Sequence, residues 1–385
     1  MSADPKIVAV EAIPVAVAGV RPFRISEGET KRHISVLLRL RTDREGLEGN
    51  GEIVSAPPGK PEEIADEILG AVDNYVAPAL LGIAAGDRRL AMARVNAALK
   101  GRIWTKAGVN NALYDLQAKA LGQPVSALLG GRITDKIPVI GPVIGIMTPE
   151  AMAREAAEQA KAGVNAIKIK IGETIEADIT RVKEVRSAIP ATMQLRVDAN
   201  DHYRPADAIR LIRAIERYDI EHVEQPLPRG DLLGMAEVRR AIGIPLMTDD
   251  SVATPEDAIA VIRLGAADRV KVKVSKHGLD GAQLIIGLLE AAGIACVLGH
   301  VFQMGLARLA EAQLAACVRN VKLPHEMGSM RPMGVTSDII LDELEPTPGM
   351  LRLPQGPGLG ARIDWATVEK LRIDRASGAK LHAVG

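Results

Sequence analysis

Five charged residues recur through the middle of the chain at intervals of about one strand–helix unit. Lys170, Asp198, Glu224, Asp249 and Lys273 are separated by 28, 26, 25 and 24 residues. Each closes or follows a short apolar run: AIKIKIG, QLRVDAN, HVEQP, IPLMTDD and RVKVKVSK. In a parallel barrel such positions are the C-terminal ends of successive strands, where catalytic groups gather. The spacing predicts five side chains at one height, facing one cavity. Three converging carboxylates repel one another and do not all ionise without a cation. An oxygen-only set with no His or Cys suits Mg²⁺, with Mn²⁺ as the second choice. Asp198, Glu224 and Asp249 therefore read as metal ligands. Lys170 and Lys273 flank them. Beside other cations, here Lys168 and the metal, the pKa of a lysine falls toward that of a working base. The chemistry expected is removal of a proton from the carbon next to a substrate carboxylate, with the metal stabilising the enediolate.

Taken singly, each residue has a plainer use. Asp198 and Asp249 could cap helices or form Asx turns. Lys168-Ile169-Lys170 could be an alternating, solvated edge strand. His300, at the end of another apolar run, could be a satisfied polar residue, and Glu326 could lie on the surface. The functional reading rests on their order and spacing together. At the same strand ends stand Asn200, beside Asp198, and His300 and Glu326, which are candidates for substrate contact.

The elements that must carry these residues alternate from about residue 133. Eight strand-like runs, from IPVIGPVIG to RNVKL, are separated by seven amphipathic helical stretches. Pro149, Pro205 and Pro255 open three of those helices, two of them after a threonine. The pattern predicts an α/β fold, a barrel of the TIM type over 133–350. Before it, strands followed by helices over 1–132 read as a smaller α+β domain. Segments 19–32 and 49–61 read as loops, the second from GNGE and Pro57-Pro58. Trp104 is expected in the core, and Phe23, in the first loop, is a candidate for substrate contact. The tail, 351–385, is expected to return to the first domain.

The length of 385 residues fits one barrel, about 250 residues, plus a smaller domain. Lys+Arg and Asp+Glu are 48 each, and aromatics are 2%, which argues against nucleic acid as a partner. Cys296 and Cys317 cannot form a disulfide framework or a Cys-rich zinc site. No apolar run approaches the length of a membrane span, and the N-terminus, with Asp4, Lys6 and Glu11, is unlike a signal peptide. A cytoplasmic protein acting on a small carboxylate is expected.

The motifs Lys168-Ile169-Lys170, Val197-Asp198-Ala199-Asn200, Val223-Glu224-Gln225-Pro226, Thr248-Asp249-Asp250-Ser251 and Lys273-Val274-Ser275-Lys276 resemble those of the mandelate racemase and muconate lactonizing enzymes of the enolase superfamily. Asn111 to Leu116, Leu128 to Gly131 and Gly356 to Gly360 extend the resemblance over essentially the whole chain. It implies an α+β cap over a modified (β/α)7β barrel, with Mg²⁺ on Asp198, Glu224 and Asp249. Lys-x-Lys on the second barrel strand plus a lysine on the sixth is the muconate lactonizing pattern. Lys170 and Lys273 are then the acid/base pair. Lys168 would lower the pKa of Lys170 and touch the substrate carboxylate, and Glu326 would hydrogen-bond that carboxylate. Segments 19–32 and 49–61 would close over the substrate. The outcome implied is muconate cycloisomerisation; racemisation or epimerisation of an amino-acid derivative, or dehydration, uses the same pair. A dimer or octamer is implied. Three positions depart from the pattern. Asp250 replaces the usual Glu. Leu279 replaces the second glycine of a pair. His300 follows the mandelate racemase pattern while its Asp partner is replaced by Lys273.

Overall fold

The computed structural model describes residues 4–56, 63–299, 301–319, 323–327, 337–341 and 347–374. The cap begins with an antiparallel sheet of three strands, Ile7–Ile25, Gly28–Thr42 and Glu48–Val54, in that order. Segment 19–32, expected as a loop, is instead the hairpin end of the first two strands; only Ser26 and Glu27 stand between them. Its polar side chains are those of a hairpin that leaves the sheet's covered area, so their polarity carried no turn signal. Segment 49–61 is corrected likewise: Gly49 to Val54 is strand, and 57–62 lie outside the described residues.

The glycines of GNGE serve packing, not a turn. The buried helix Ile103–Ala120 lies directly on the third cap strand. A Cβ on Gly49 would stand 2.5 Å from the Ala112 carbonyl oxygen, and one on Gly51 would stand 2.4 Å from that of Gly108. Backbone cannot yield to such contacts as a side chain can. Gly51→Ala is expected to cost about 2–3 kcal/mol, read by urea unfolding. A cost below about 0.5 kcal/mol would show that the helix simply lifts off. Trp104 is in the cap core, as expected.

The barrel holds six parallel strands in chain order: Ala166–Lys170, Gln194–Asp198, Ile220–Glu224, Leu246–Thr248, Arg269–Val272 and Ala295–Leu298. Two irregular segments close the ring. Ile144 bridges Ile169, Val139 bridges His325, and Glu326 bridges Gly299, all in parallel sense. The first barrel position is thus 139–144 and the eighth is 325–326. The expected eighth run, RNVKL, is displaced: 320–322 lie outside the described residues and the closing bridges fall just beyond them. The regular strand Lys136–Pro138 pairs antiparallel with Met350–Arg352, outside the ring. Seven helices follow the first seven positions: Pro149–Lys161, Ile175–Ala188, Pro205–Ile215, Leu232–Ala241, Pro255–Leu264, Val274–Ala291 and Gly305–Ala315. Thr148 and Thr254 accept hydrogen bonds from the backbone of Ala151 and Asp257, fixing two helix starts.

The tail returns over the cap. The helix Trp365–Leu371 packs on the first cap strand, Arg372 bridges Val15, and the Arg39 guanidinium lies 4.3 Å from the Trp365 ring centre. Cap and barrel are joined by polar clamps, one at the exposed Asp280 and one at the buried Glu52. Asp280 receives Arg88, Asn110 and Tyr114 from the cap. Glu52 reaches the N-terminus of the helix Gly305–Ala315, accepting from the Met304 and Ala307 amides at 2.7 and 3.1 Å and from the Ser35 hydroxyl at 2.7 Å. Burial pushes the Glu52 carboxyl up from 4.5 to about 7, the amide donors only partly opposing it. The folded protein then keeps a proton that the unfolded chain has released. The ionisation cost is absent below about pH 4.5 and complete above about pH 7. Stability is expected to fall on the order of 3 kcal/mol across that window from this group. Glu52→Gln should flatten that part of the melting-temperature profile; an unchanged slope would assign it to other groups.

Candidate active site

Strand register sets the heights of the site residues. Lys170 is the Cα partner of Asp198, and Asp198 of Glu224. The partner of Glu224 is Met247, so Asp249 stands two residues beyond it. The expectation of one height holds for the first three residues and is corrected for two: Asp249 lies one inward-facing step nearer the mouth, and Lys273, four residues beyond the Met247 partner Arg269, lies two steps nearer.

The interior is a lattice of ammonium and carboxylate groups. Lys168 Nζ lies 2.7 Å from both Glu224 Oε2 and Glu326 Oε2, and 2.9 Å from Asp198 Oδ2. Lys170 donates to Asp198 Oδ2 at 2.6 Å and to Asn200 Oδ1 at 2.7 Å. Lys273 donates to Asp249 Oδ2 at 2.6 Å. Lys170 and Lys273 are thus each tied to a different carboxylate of the expected metal set. A fourth lysine, Lys271, lies 2.5 Å from both Glu224 Oε1 and Glu326 Oε2. Arg196, fully buried, reaches Glu326 Oε1 at 3.4 Å.

These contacts separate the lysines. Burial drives Lys170 below the ordinary lysine value; Asp198 opposes this, and the Lys168 charge adds to it. Burial acts downward on Lys168 as well, but Asp198, Glu224 and Glu326 outweigh it and hold that lysine well above 10.5. Burial of Lys273 is likewise outweighed, by Asp249 and Asp250, and its value is raised. Lys170 is the group most ready to accept a proton, while Lys168 and Lys273 are held in the charged form. Burial pushes Glu224 up to about 8, with Asp198 adding to the rise. Burial also acts upward on Glu326, but Lys168, Lys271 and Arg196 hold it well below 4.5, so both its oxygens act as acceptors for cations.

Two features fit a divalent ion at the mouth. Among the described residues, Asp249 Oδ1 is buried without a hydrogen-bond partner. The donors of Asp198, Glu224 and Asp249 are all carboxylate oxygens, the set a hard cation takes. Among the described residues, a tighter cluster has His222, Glu224 and Glu326 ligand atoms within 4.8 Å of one another. Lys168 and Lys271 already bridge its two carboxylates, and Arg269 lies 2.7 Å from His222 Nδ1. That cluster is crowded by two arginines, Arg196 and Arg269, as well as by lysines, whereas among the described residues the cations that meet the mouth carboxylates are lysines alone.

The loops after the strands explain two of the departures. Asp250 meets Lys276 Nζ at 3.3 Å, and Arg229 lies 3.8 Å away, so the shorter acid has its partners. Gly278 alone supplies the left-handed turn, at φ 65°, inside the helix that follows Lys273. Leu279 is buried, its amide donating to Asn111 Oδ1. His277 was not foreseen: its Nδ1 accepts from the Lys273 amide at 3.2 Å, and its Nε2 faces the Val252 carbonyl at 3.1 Å. Gln225 binds the Asp249 amide at 2.8 Å through Oε1 and the Ser251 hydroxyl through Nε2.

The cap hairpin supplies the roof. Ser26 donates to the Asn200 carbonyl, and the Ile146 amide donates to that of Arg24. Phe23 is buried against Ile140, Val143 and Ala166 and meets Phe302 edge-on at 4.9 Å. His33 stacks on Phe302 at 4.3 Å, and burial lowers it to about 4, so it is neutral. His300 lies outside the described residues.

Comparison with known proteins gives the family. The N-terminal domain of mandelate racemase / muconate lactonizing enzyme matches residues 8–130, and the enolase C-terminal domain-like family matches residues 151–367. The chain is 33% identical over 362 residues to L-Ala-D/L-Glu epimerase of Bacillus subtilis (strain 168), covering 92% of this chain and 96% of that one. It is 32% identical over 382 residues to muconate cycloisomerase 1-2 of Acinetobacter lwoffii, covering 98% of both. The crystal structure of a dipeptide epimerase from Enterococcus faecalis V583, complexed with Mg and dipeptide L-Leu-L-Tyr, superposes with a TM-score of 0.85 at 29% identity, covering 93% of this chain and 99% of that one. The chain belongs to the mandelate racemase/muconate lactonizing enzyme family and is an isomerase of the enolase superfamily, built for proton abstraction next to a carboxylate through an enediolate.

Proposed function

We propose that the chain is a Mg²⁺-dependent, muconate cycloisomerase-like enzyme, forming or opening a lactone, in which Lys170 and Lys273 serve opposite faces of the substrate. The observation that carries this is their separate anchoring, on Asp198 and on Asp249. Asp198, Glu224 and Asp249 would hold Mg²⁺, or Mn²⁺ in its place; the bound ion supplies charge stabilisation for the enediolate. Lys170, lowered by burial, takes the proton α to the carboxylate as the lactone C–O bond breaks, or returns it to that carbon once the distal carboxylate oxygen has closed on the double bond; in a racemisation Lys273 would instead deliver a proton on the other face. Lys168 offers an ammonium to the substrate carboxylate. Glu326 acts by holding Lys168, since both its oxygens are taken up by cations. Asn200 orients Lys170, and Phe23 with Phe302 walls the substrate space. The match over nearly the full length to a muconate cycloisomerase supports the outcome.

The even placement of the two lysines favours a second reading, racemisation or epimerisation of an amino-acid derivative. No Asp-x-Asp follows the eighth barrel position, which argues against dipeptides for want of a partner for their amine. The deciding experiment incubates a panel of carboxylates with enzyme and Mg²⁺ in D₂O. A cycloisomerase removes the ultraviolet absorbance of a diene diacid. A racemase instead places deuterium at the α carbon of both enantiomers, read by NMR. No exchange and no absorbance loss across a broad acid library would sink both readings. The family resemblance also suggests a homo-oligomer, a dimer or octamer, to be measured by light scattering.

A further inference from the structure

Lys271 has no part in the proton transfer described above, yet it is among the most enclosed charges in the barrel, 2% exposed. It precedes Lys273 by two residues, so Lys271-Val272-Lys273 places two ammonium groups inward just as Lys168-Ile169-Lys170 does. Its Nζ bridges Glu224 and Glu326. The neighbouring strand makes room for it. A Cβ on Gly299 would stand 2.8 Å from both Cδ and Cε of Lys271. Gly299 has no positive φ, so space for this stem, not backbone freedom, accounts for the glycine.

We propose that Lys271 is a built-in counter-cation that sets how tightly the barrel mouth holds its divalent ion. The proposal rests on the reading of Asp198, Glu224 and Asp249 as the metal ligands. Glu224 carries Lys168 on Oε2 and Lys271 on Oε1. Lys168 has three carboxylates among which to redistribute. Lys271 has two, and its stem is walled by Gly299. Any ion on Glu224 therefore meets a fixed positive charge a few ångströms away, in a buried setting where repulsion is weakly screened. The same ammonium holds Glu224 and Glu326 together, so the carboxylates are positioned before metal arrives. Lys271 is thus a positioning residue that exchanges metal affinity for an ordered metal-free site.

The test is Mg²⁺ titration by calorimetry of the full chain and its variants, at one pH and ionic strength. Lys271→Gln is expected to bind Mg²⁺ at least about tenfold more tightly than the wild type, and Lys271→Arg within about threefold of it. Equal or weaker binding by Lys271→Gln overturns the proposal. Lys271→Met, which keeps the stem volume without the charge, repeats the comparison through the Mg²⁺-induced rise in melting temperature. That rise should exceed the wild-type rise, and an equal or smaller one also overturns the proposal. A wild type that binds Mg²⁺ while Lys271→Gln binds it equally removes only the role of Lys271. A wild type that binds no Mg²⁺ removes the metal reading as well.

Discussion

Lys170→Ala and Lys273→Ala are each expected to lose about a thousandfold in exchange of the substrate α proton, on opposite faces. A positioned acid or base commonly contributes about 10²–10⁴-fold, and each lysine is the only one of the pair tied to its carboxylate. With a racemase-type substrate, each single variant should therefore still exchange one enantiomer. The double variant should exchange neither. The faces should also differ with pH. Burial lowers Lys170, so exchange on its side rises with pH toward a limit below 10.5. Asp249 and Asp250 raise Lys273 against its burial, so the limit on its side lies higher. Folding should survive in Lys170→Ala, because Asp198 keeps Lys168 at 2.9 Å. NMR exchange rates over a pH series decide the matter. Retention of both enantiomers' exchange in either single variant would end the two-face assignment.

The site was largely legible because its chemistry sits at regular intervals. A strand–helix unit has a nearly fixed length, so Asp198 and Glu224 could be placed side by side from spacing alone, and the register agrees. Spacing could not give Asp249 its extra step, since that depends on how far the short strand Leu246–Thr248 slides against its neighbour. Lys271 was available in the sequence: its alternation with Lys273 repeats that of Lys168 with Lys170. It lies inside the strand Arg269–Val272, two places before the strand-end lysine, where a buried charge is not expected. Glu52 and His277 gave no signal at all. Apart from the Ser35 hydroxyl on Glu52, their partners are backbone amides and carbonyls brought near by folding, and any sequence supplies those. In the cap, polar composition does not mark irregular backbone. A hairpin reaching over the barrel and a glycine strand under a helix both look like loops when only local composition is weighed.

Asp249→Asn is expected to be the most damaging change at the metal end of the site, acting on both the fold and the ion. Asp249 is buried, with Lys273 on Oδ2 at 2.6 Å and, among the described residues, no hydrogen-bond partner on Oδ1. Removing its charge leaves Lys273 buried without its counter-ion, a loss of about 3–5 kcal/mol where one member of a buried pair is deleted. It also removes one of three charged ligands, so Mg²⁺ affinity should fall about a hundredfold or more. Asp250→Asn is the control one residue away. That carboxylate is partly exposed and its ion pairs are longer, with Lys276 at 3.3 Å and Arg229 at 3.8 Å, so its loss should cost less than that of Asp249. The sign of the pH effect follows. Burial would raise Asp249, but Lys273, Lys271 and Lys276 win and lower it below 3.8. Its stabilisation is therefore present above about pH 3.8 and lost as pH falls through the depressed value. The gap between wild type and Asp249→Asn should be widest near neutral pH and narrow in acid. Denaturant unfolding at several pH values and Mg²⁺ calorimetry test the two effects separately. If Asp249→Asn behaves like Asp250→Asn in both, Asp249 is neither the partner of Lys273 in solution nor a ligand. The Lys273 side of the site would then need another anchor.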